Sequence, residues 1–346
     1  MALYPPSEPH DLVGAGAFTR KSSRLERFLG PDAYRVLQGL FKTTASITGL
    51  VLLLVYMIIA LAAPVLAPPL AENDPYMIPR DGFKTQPRPP GTEWRVKPPP
   101  LPFWWKTVTG KEEWVHLLGT SQGQYDIYYG IIWGTRTAFK TGLIVVVSTL
   151  TLGIVVGSVS AYYGGWVDNV LSRVVDIMLV LPELMAILIL AAVLTPVIGR
   201  SLLPAMTAII AFGWMGYARL IRADILSVKE RDYVMAARVL GVRDNRILFR
   251  HVIPNAIFPT LVLASLGIGN VVLGFAALSF LGVGTEMGYA DWGQVLSFAR
   301  NWMTSLHVYW YIIAYPGIAL VLFVMGWNLL GDALRDVLDP RLRGKV

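Results

Sequence analysis

The chain of 346 residues contains no cysteine. Disulfides, thiolate metal sites and cysteine nucleophiles are thereby excluded, while the compartment stays open. Charge is also scarce: Asp, Glu, Lys and Arg make up 15% of the residues against 54% hydrophobic ones, a balance too apolar for a soluble globular domain of this size. The four histidines, His10, His116, His251 and His307, are scattered singly, without H-E-x-x-H or paired-ligand spacing, so no metal site is predicted. A phosphate-cradling G-x-x-x-x-G-K-[ST] loop is missing too, because Gly110-Lys111 and Gly344-Lys345 lack both the upstream glycine and the following hydroxyl. Any ATP hydrolysis serving this chain must occur on another one. Gly119-Thr120-Ser121-Gln122-Gly123 matches G-x-S-x-G in letters, but no strand alternation leads into it, which argues against a nucleophile elbow.

What the chain has in place of charge is long apolar runs. Crossing about 30 Å of hydrocarbon takes roughly 20 helical residues. Six stretches qualify: Ile47–Leu66, a part of Thr141–Val167, Ile177–Gly199 interrupted by Glu183, Ser201–Ala218, a part of Val252–Thr285, and Val308–Gly331. Only helices satisfy the backbone internally in such runs, so the prediction is an all-α polytopic membrane protein with six transmembrane helices. The first run starts too late and is too long for the apolar region of a cleaved signal peptide, and it is read as retained.

The net charge of +7 need not mean nucleic acid, because topology explains where the basic residues fall. Arg20, Lys21, Arg24, Arg27, Arg35 and Lys42 precede the first span, and Arg219, Arg222, Lys229, Arg231, Arg238, Arg243, Arg246 and Arg250 follow the fourth. Both termini are expected inside. The organisation expected is a cytoplasmic tail over 1–46, the first span over 47–66, an external segment over 67–136, a core over 137–331 and a cytoplasmic tail over 332–346. Arg20–Arg27 are available to anionic lipid headgroups. Twelve of the 23 prolines lie between Pro64 and Pro102, which blocks regular structure and predicts an extended external loop. Trp104, Trp105 and Trp114 are expected to seat its end on the membrane interface. Gly153, Gly157 and Ala161 permit close helix packing within the second span.

The connection at 219–258 is long, basic and broken by a glycine. Asp232 is expected to cap a short helix running to Leu240, Gly241 to end it in the left-handed region, Asp244 to cap a second helix and Pro254 to stop that one. Ala236 and Ala237, flanked by Tyr233 and Leu240, would let a partner's groove approach closely. A solvated helix pair lying on the membrane surface is the alternative.

With Arg243, Ile253 and Pro254, this segment resembles the E-A-A, glycine and hydrophobic-proline loop of bacterial ABC-importer permeases. Gly216-Tyr217-Ala218-Arg219, Arg222 and Arg250-His251-Val252-Ile253-Pro254-Asn255-Ala256 narrow the resemblance to the C-type subunit of the dipeptide, oligopeptide and nickel permeases. Leu278-Ser279-Phe280-Leu281-Gly282, Asp291-Trp292-Gly293, Asn328 to Asp332 and Leu338 to Arg341 continue it. Leu118-Gly119-Thr120, Asp126, Gly134-Thr135-Arg136 and Tyr162 to Gly165 extend it upstream, over residues 117–343 in all. Departures are Met235 for the usual glutamate, Met215 for a proline, and Ser121, Gln124 and Tyr125 for aspartate, glycine and arginine.

The resemblance implies a type I ABC-importer permease fold in a bacterial inner membrane. It also implies a heterodimer with a homologous B-type permease, two cytoplasmic ATPases that hold ATP and magnesium, and an extracytoplasmic solute-binding protein. This chain would hold no cofactor, bind membrane lipid but no nucleic acid, catalyse nothing, and move di- or oligopeptides by alternating access. Nickel or oligosaccharide importers share the same architecture. A secondary transporter is a remote alternative, disfavoured because it would show paired broken helices in repeated halves and no docking loop.

Glu183 costs about 2.5–3.5 kcal/mol in a span, which the surrounding Leu, Ile and Val offset. Such a carboxylate should face the bundle or a watery cavity, where it lines the solute's passage or bonds another helix. Asn270 is the second candidate for the passage; Arg173 and Asp176 are weaker ones.

Overall fold

The computed structural model describes residues 39–338 apart from 42, 71–73 and 97. The readings placed on most of the N-terminal tail, including Arg20–Arg27 and His10, and on residues 339–346 lie outside the described residues. Helix α1 is Thr44–Leu66; β1 (Thr92–Glu93), α2 (Phe103–Thr109) and β2 (Val115–His116) follow in the proline-rich segment. After it come α3 (Ile127–Tyr163), α4 (Gly165–Val180), α5 (Glu183–Ile198), α6 (Leu202–Gly213) and α7 (Met215–Val228). Then come α8 (Asp232–Val239), α9 (Asp244–Ile247), α10 (Ile253–Ala256), α11 (Phe258–Phe280), α12 (Trp292–Ser297), α13 (Leu306–Tyr309) and α14 (Tyr311–Leu338).

Four of the six expected spans are single apolar helices long enough to cross a bilayer: α1, α3, α11 and α14. The third is bent by 90° between α4 and α5. Its cause is local: a proline disfavours the helical region for the residue before it, and Leu181 accordingly turns extended at φ −68°, ψ 136° ahead of Pro182. The expected fourth span divides at Trp214 into α6 and α7, each about 20 Å long.

Helix α3 organises the rest. Its 37 residues span about 55 Å, well beyond one hydrocarbon thickness. Asp126 starts it, its side chain accepting from the Tyr129 N–H at 3.0 Å. Along its length it packs against α1, α4, α6, α7, α11, α12 and α14. The predicted small-residue contact is with α7. A Cβ on Gly153 would stand 2.5 Å from Tyr217 Cβ, and one on Gly157 would stand 2.4 Å from the Ala218 carbonyl oxygen.

At the end of the bundle where α1 stops, the proline-rich segment folds over its own core. Trp105 and Trp114 are buried in it with Tyr125, Tyr129 and Trp133, so two of the three tryptophans expected at the membrane interface are core residues instead. The indoles find partners inward: Trp105 Nε1 donates to the Glu113 carbonyl at 3.0 Å, and Trp133 Nε1 donates to that of Ala67 at 2.9 Å. His116 is fully buried; its Nδ1 lies 2.6 Å from Asp126 Oδ2 and its Nε2 3.3 Å from Asp81 Oδ2. Burial alone would raise the Asp81 carboxyl, but N–H bonds from Val96 and Arg95 and the nearby imidazole outweigh it and hold its pKa below the usual range. Arg88 completes the cluster on Asp81. These contacts lock the loop to the cap of α3.

The α3–α7 approach is testable by overpacking. Gly157→Leu should destabilise the purified assembly by about 1–3 kcal/mol in thermal unfolding. Gly317→Ala, where nothing lies within 4 Å, should leave the melting temperature unchanged or slightly higher.

Candidate functional site

The structure builds two features from the predicted residues, one at the end of the bundle where α3 and α7 finish and one in its middle. At the end, Val234 of α8 is fully buried. It packs into a cluster with Ala161 of α3, Ile221, Ile225 and Val228 of α7, and Ile247, Leu248, Val252 and Ala256 beyond. This contact sets which face of α8 turns outward. Tyr233 is 41% exposed, Val239 86% and Leu240 81%, with Ala236 exposed among them. Ala237, expected beside Ala236, turns inward and packs on the Val234 cluster, as does Ile253. Val239 was missed in the sequence, although it stands three residues after Ala236 and six after Tyr233, on one helical face.

Gly241 behaves as expected. It adopts φ +73° and donates its N–H to the Arg238 carbonyl at 3.0 Å, while the Val242 N–H reaches that of Ala237 at 3.2 Å. This pair of bonds closes the helix in a Schellman arrangement. The caps are not as expected. Arg231 and Arg243 occupy the cap positions, and Asp232 and Asp244 are the first helical residues of α8 and α9. Asp232 therefore acts through the helix dipole alone. Asp244 instead accepts from the Tyr162 hydroxyl at 2.8 Å, and Asn245 Oδ1 accepts from that of Tyr163 at 2.9 Å.

Pro254 does not stop the chain, contrary to expectation. Residues Leu248–Val252 widen into a π turn, with the Ile253 N–H reaching the Leu248 carbonyl, and Pro254 sits in the first turn of α10. There a missing N–H costs no helical bond. Pro254, Arg243 and Met235 are exposed, and Met235 Sδ lies 3.9 Å from Arg238 Nη1.

In the middle, a cavity of ≈ 550 Å³ opens beside the α4–α5 bend. Glu183 and Asn270 both line it, with Met178, Phe212, Met215 and Tyr217 among its apolar walls. Glu183 thus heads a helix at a break and does not sit at mid-span, because Pro182 ends the preceding turn. A carboxylate in a first helical turn is favoured by the dipole, and its backbone needs no interior burial. Both side chains are exposed toward the cavity. Of the weaker candidates, Asp176 pairs with Arg219 at 2.7 Å, and neither it nor Arg173 lines the cavity. Ser121, the centre of the apparent nucleophile motif, is buried, with its hydroxyl donating to the Tyr125 carbonyl at 3.3 Å.

Residues 150–344 match the family described as "Binding-protein-dependent transport system inner membrane component". The dipeptide transport system permease protein DppC of Alkalihalophilus pseudofirmus is 36% identical over 228 residues, covering 66% of this chain and 73% of that one. Its counterpart in Escherichia coli K12 is 37% identical over 228 residues, covering 66% and 74%. The glutathione transport system permease protein GsiD of Pectobacterium atrosepticum is 33% identical over 228 residues, covering 66% and 73%. The apolar helices, the glycine-broken loop with its outward face and the match across its core domain together make this chain a member of the binding-protein-dependent transport system inner membrane component family.

Proposed function

We propose that the chain is a membrane-spanning subunit of a bacterial inner-membrane ABC importer for di- and oligopeptides, and that α8 is its docking element. The outward face of α8 carries the proposal. Val239 and Leu240 stand almost fully in solvent on an ordered helix. Covering each side chain would return about 1.5–3 kcal/mol, a strong incentive for a partner to cover them. The basic residues around them support a cytoplasmic position for this end of the bundle, where a nucleotide-hydrolysing subunit would be the partner. ATP and magnesium would be held there, while a homologous B-type permease completes the passage and a solute-binding protein delivers from the opposite side. The peptide substrate is carried over from relatives named for dipeptide and glutathione transport.

Glu183 and Asn270 are the groups through which the cavity would meet the solute. A carboxylate suits a peptide's terminal ammonium, an amide suits its backbone, and the apolar walls suit side chains of varied size. Displacing packed helices about this cavity, driven by the partner ATPases, gives alternating access without covalent chemistry.

Two measurements test this reading. Leu240→Asp should remove most of the ATPase subunit that co-purifies with the membrane subunits, while leaving their expression unchanged; retained ATPase would remove α8 as the dock. Glu183→Gln deletes a charged hydrogen-bond partner worth about 1.5–3 kcal/mol, so dipeptide uptake below saturation should fall about tenfold or more. Unaltered rate and specificity would take Glu183 out of the passage.

A further inference from the structure

Between α8 and the cavity lies one compact set of polar contacts that the docking and passage readings do not use. Asp168, in the first turn of α4, receives two guanidinium nitrogens of Arg222 on α7: Nε donates to Oδ1 at 2.6 Å and Nη2 to Oδ2 at 2.7 Å. Oδ1 also accepts from Ser160 on α3 at 2.5 Å and from Ser172 on α4 at 3.1 Å. Three helices thus converge on one carboxylate. Lys229, just past α7, donates to the Ala161 carbonyl at 2.9 Å, tying the start of the α8 connection to the same end of α3.

Packing does little to hold α4, since Val175 is its one buried residue. Its apolar contact with α7 is one small cluster, Val175 and Met178 against Met215 and Ala218, so polar contacts carry much of the attachment. Of the two ion pairs that bridge these helices, Arg219–Asp176 is exposed, with 62% and 53% of the respective side chains in solvent, and is largely screened. Asp168–Arg222 is better shielded, bidentate and supported by two hydroxyls, so it fixes orientation as well as distance. Beyond α4 the chain bends at Leu181-Pro182 and delivers Glu183 into the cavity wall.

We propose that the Asp168–Arg222 pair is the joint that hands displacement of α8 and α7 to α4, and so to the cavity wall. Both are positioning residues; neither touches the solute. The proposal rests on the reading that α8 docks on the ATPase.

The test uses the complete importer in proteoliposomes, reading peptide taken up per ATP hydrolysed, with ATPase co-purification as the separate readout of docking. Asp168→Asn and Arg222→Lys should lower uptake per ATP by about tenfold, with the ATPase still bound and hydrolysing. The exchange Asp168→Arg with Arg222→Asp should recover part of the loss, and Arg219→Gln should change the ratio by no more than about twofold. Uptake and hydrolysis falling in proportion would overturn the joint. So would an unchanged ratio, or lost assembly in both Asp168→Asn and Arg222→Lys. Failure of docking itself would appear as lost ATPase in the parent-like Arg219→Gln importer or as its retention in Leu240→Asp.

Discussion

The burial of Val234 is the contact on which the cytoplasmic end depends. With that side chain sealed against Ile221, Ile225, Ile247 and Val252, α8 has one rotational setting, and Tyr233, Val239 and Leu240 have nowhere to go but outward. Gly241 then turns the chain back in a left-handed residue, so that α9 and the π turn can close the cluster from the other side. A helix of eight residues would not hold its shape alone in water. Here the cluster supplies the order, and the outward apolar face comes pre-organised for a partner.

The same economy runs through the bundle. Glycines at 153 and 157 let α7 lie against the backbone of α3, so that the connection leading to α8 starts from a rigid base. Polar side-chain contacts mark the joints at this end: Asp168 between α3, α4 and α7, and Tyr162 and Tyr163 between α3 and α9. At the opposite end, the His116 cluster with Asp81, Asp126 and Arg88 holds the proline-rich segment to the first turn of α3. A chain without cysteine has used buried ionic contacts to order its longest irregular segment.

Apolar length was legible in the sequence, because hydrophobic runs report directly on the solvent they meet. Thus α1, α11 and α14 lie close to their expected positions. Gly241 was legible for a similar reason, as one residue type suits its backbone. Prolines are ambiguous in both directions: Pro182 breaks a span by constraining Leu181, whereas Pro254, expected to stop a helix, rides on a π turn that relieves it. Asp232 and Asp244 look like caps by type, yet the helices begin one residue earlier, after Arg231 and Arg243. The Trp105 and Trp114 burial and the His116 cluster depend on partners far apart in the sequence, which periodicity within one segment does not carry. Glu183 and Asn270 stand apart in the sequence as polar residues in apolar runs, and the fold brings them to one cavity.

The absence of cysteine also provides the most direct test of the central claim that α8 seats on a nucleotide-hydrolysing subunit. Leu240→Cys introduces the only thiol in the chain. A short bifunctional cross-linker applied to the assembled importer in inverted membrane vesicles should join that thiol to the ATPase subunit, and ATPase binding should shield it from a membrane-impermeant maleimide. Labelling by that maleimide from outside intact cells, with no ATPase adduct, would contradict the account.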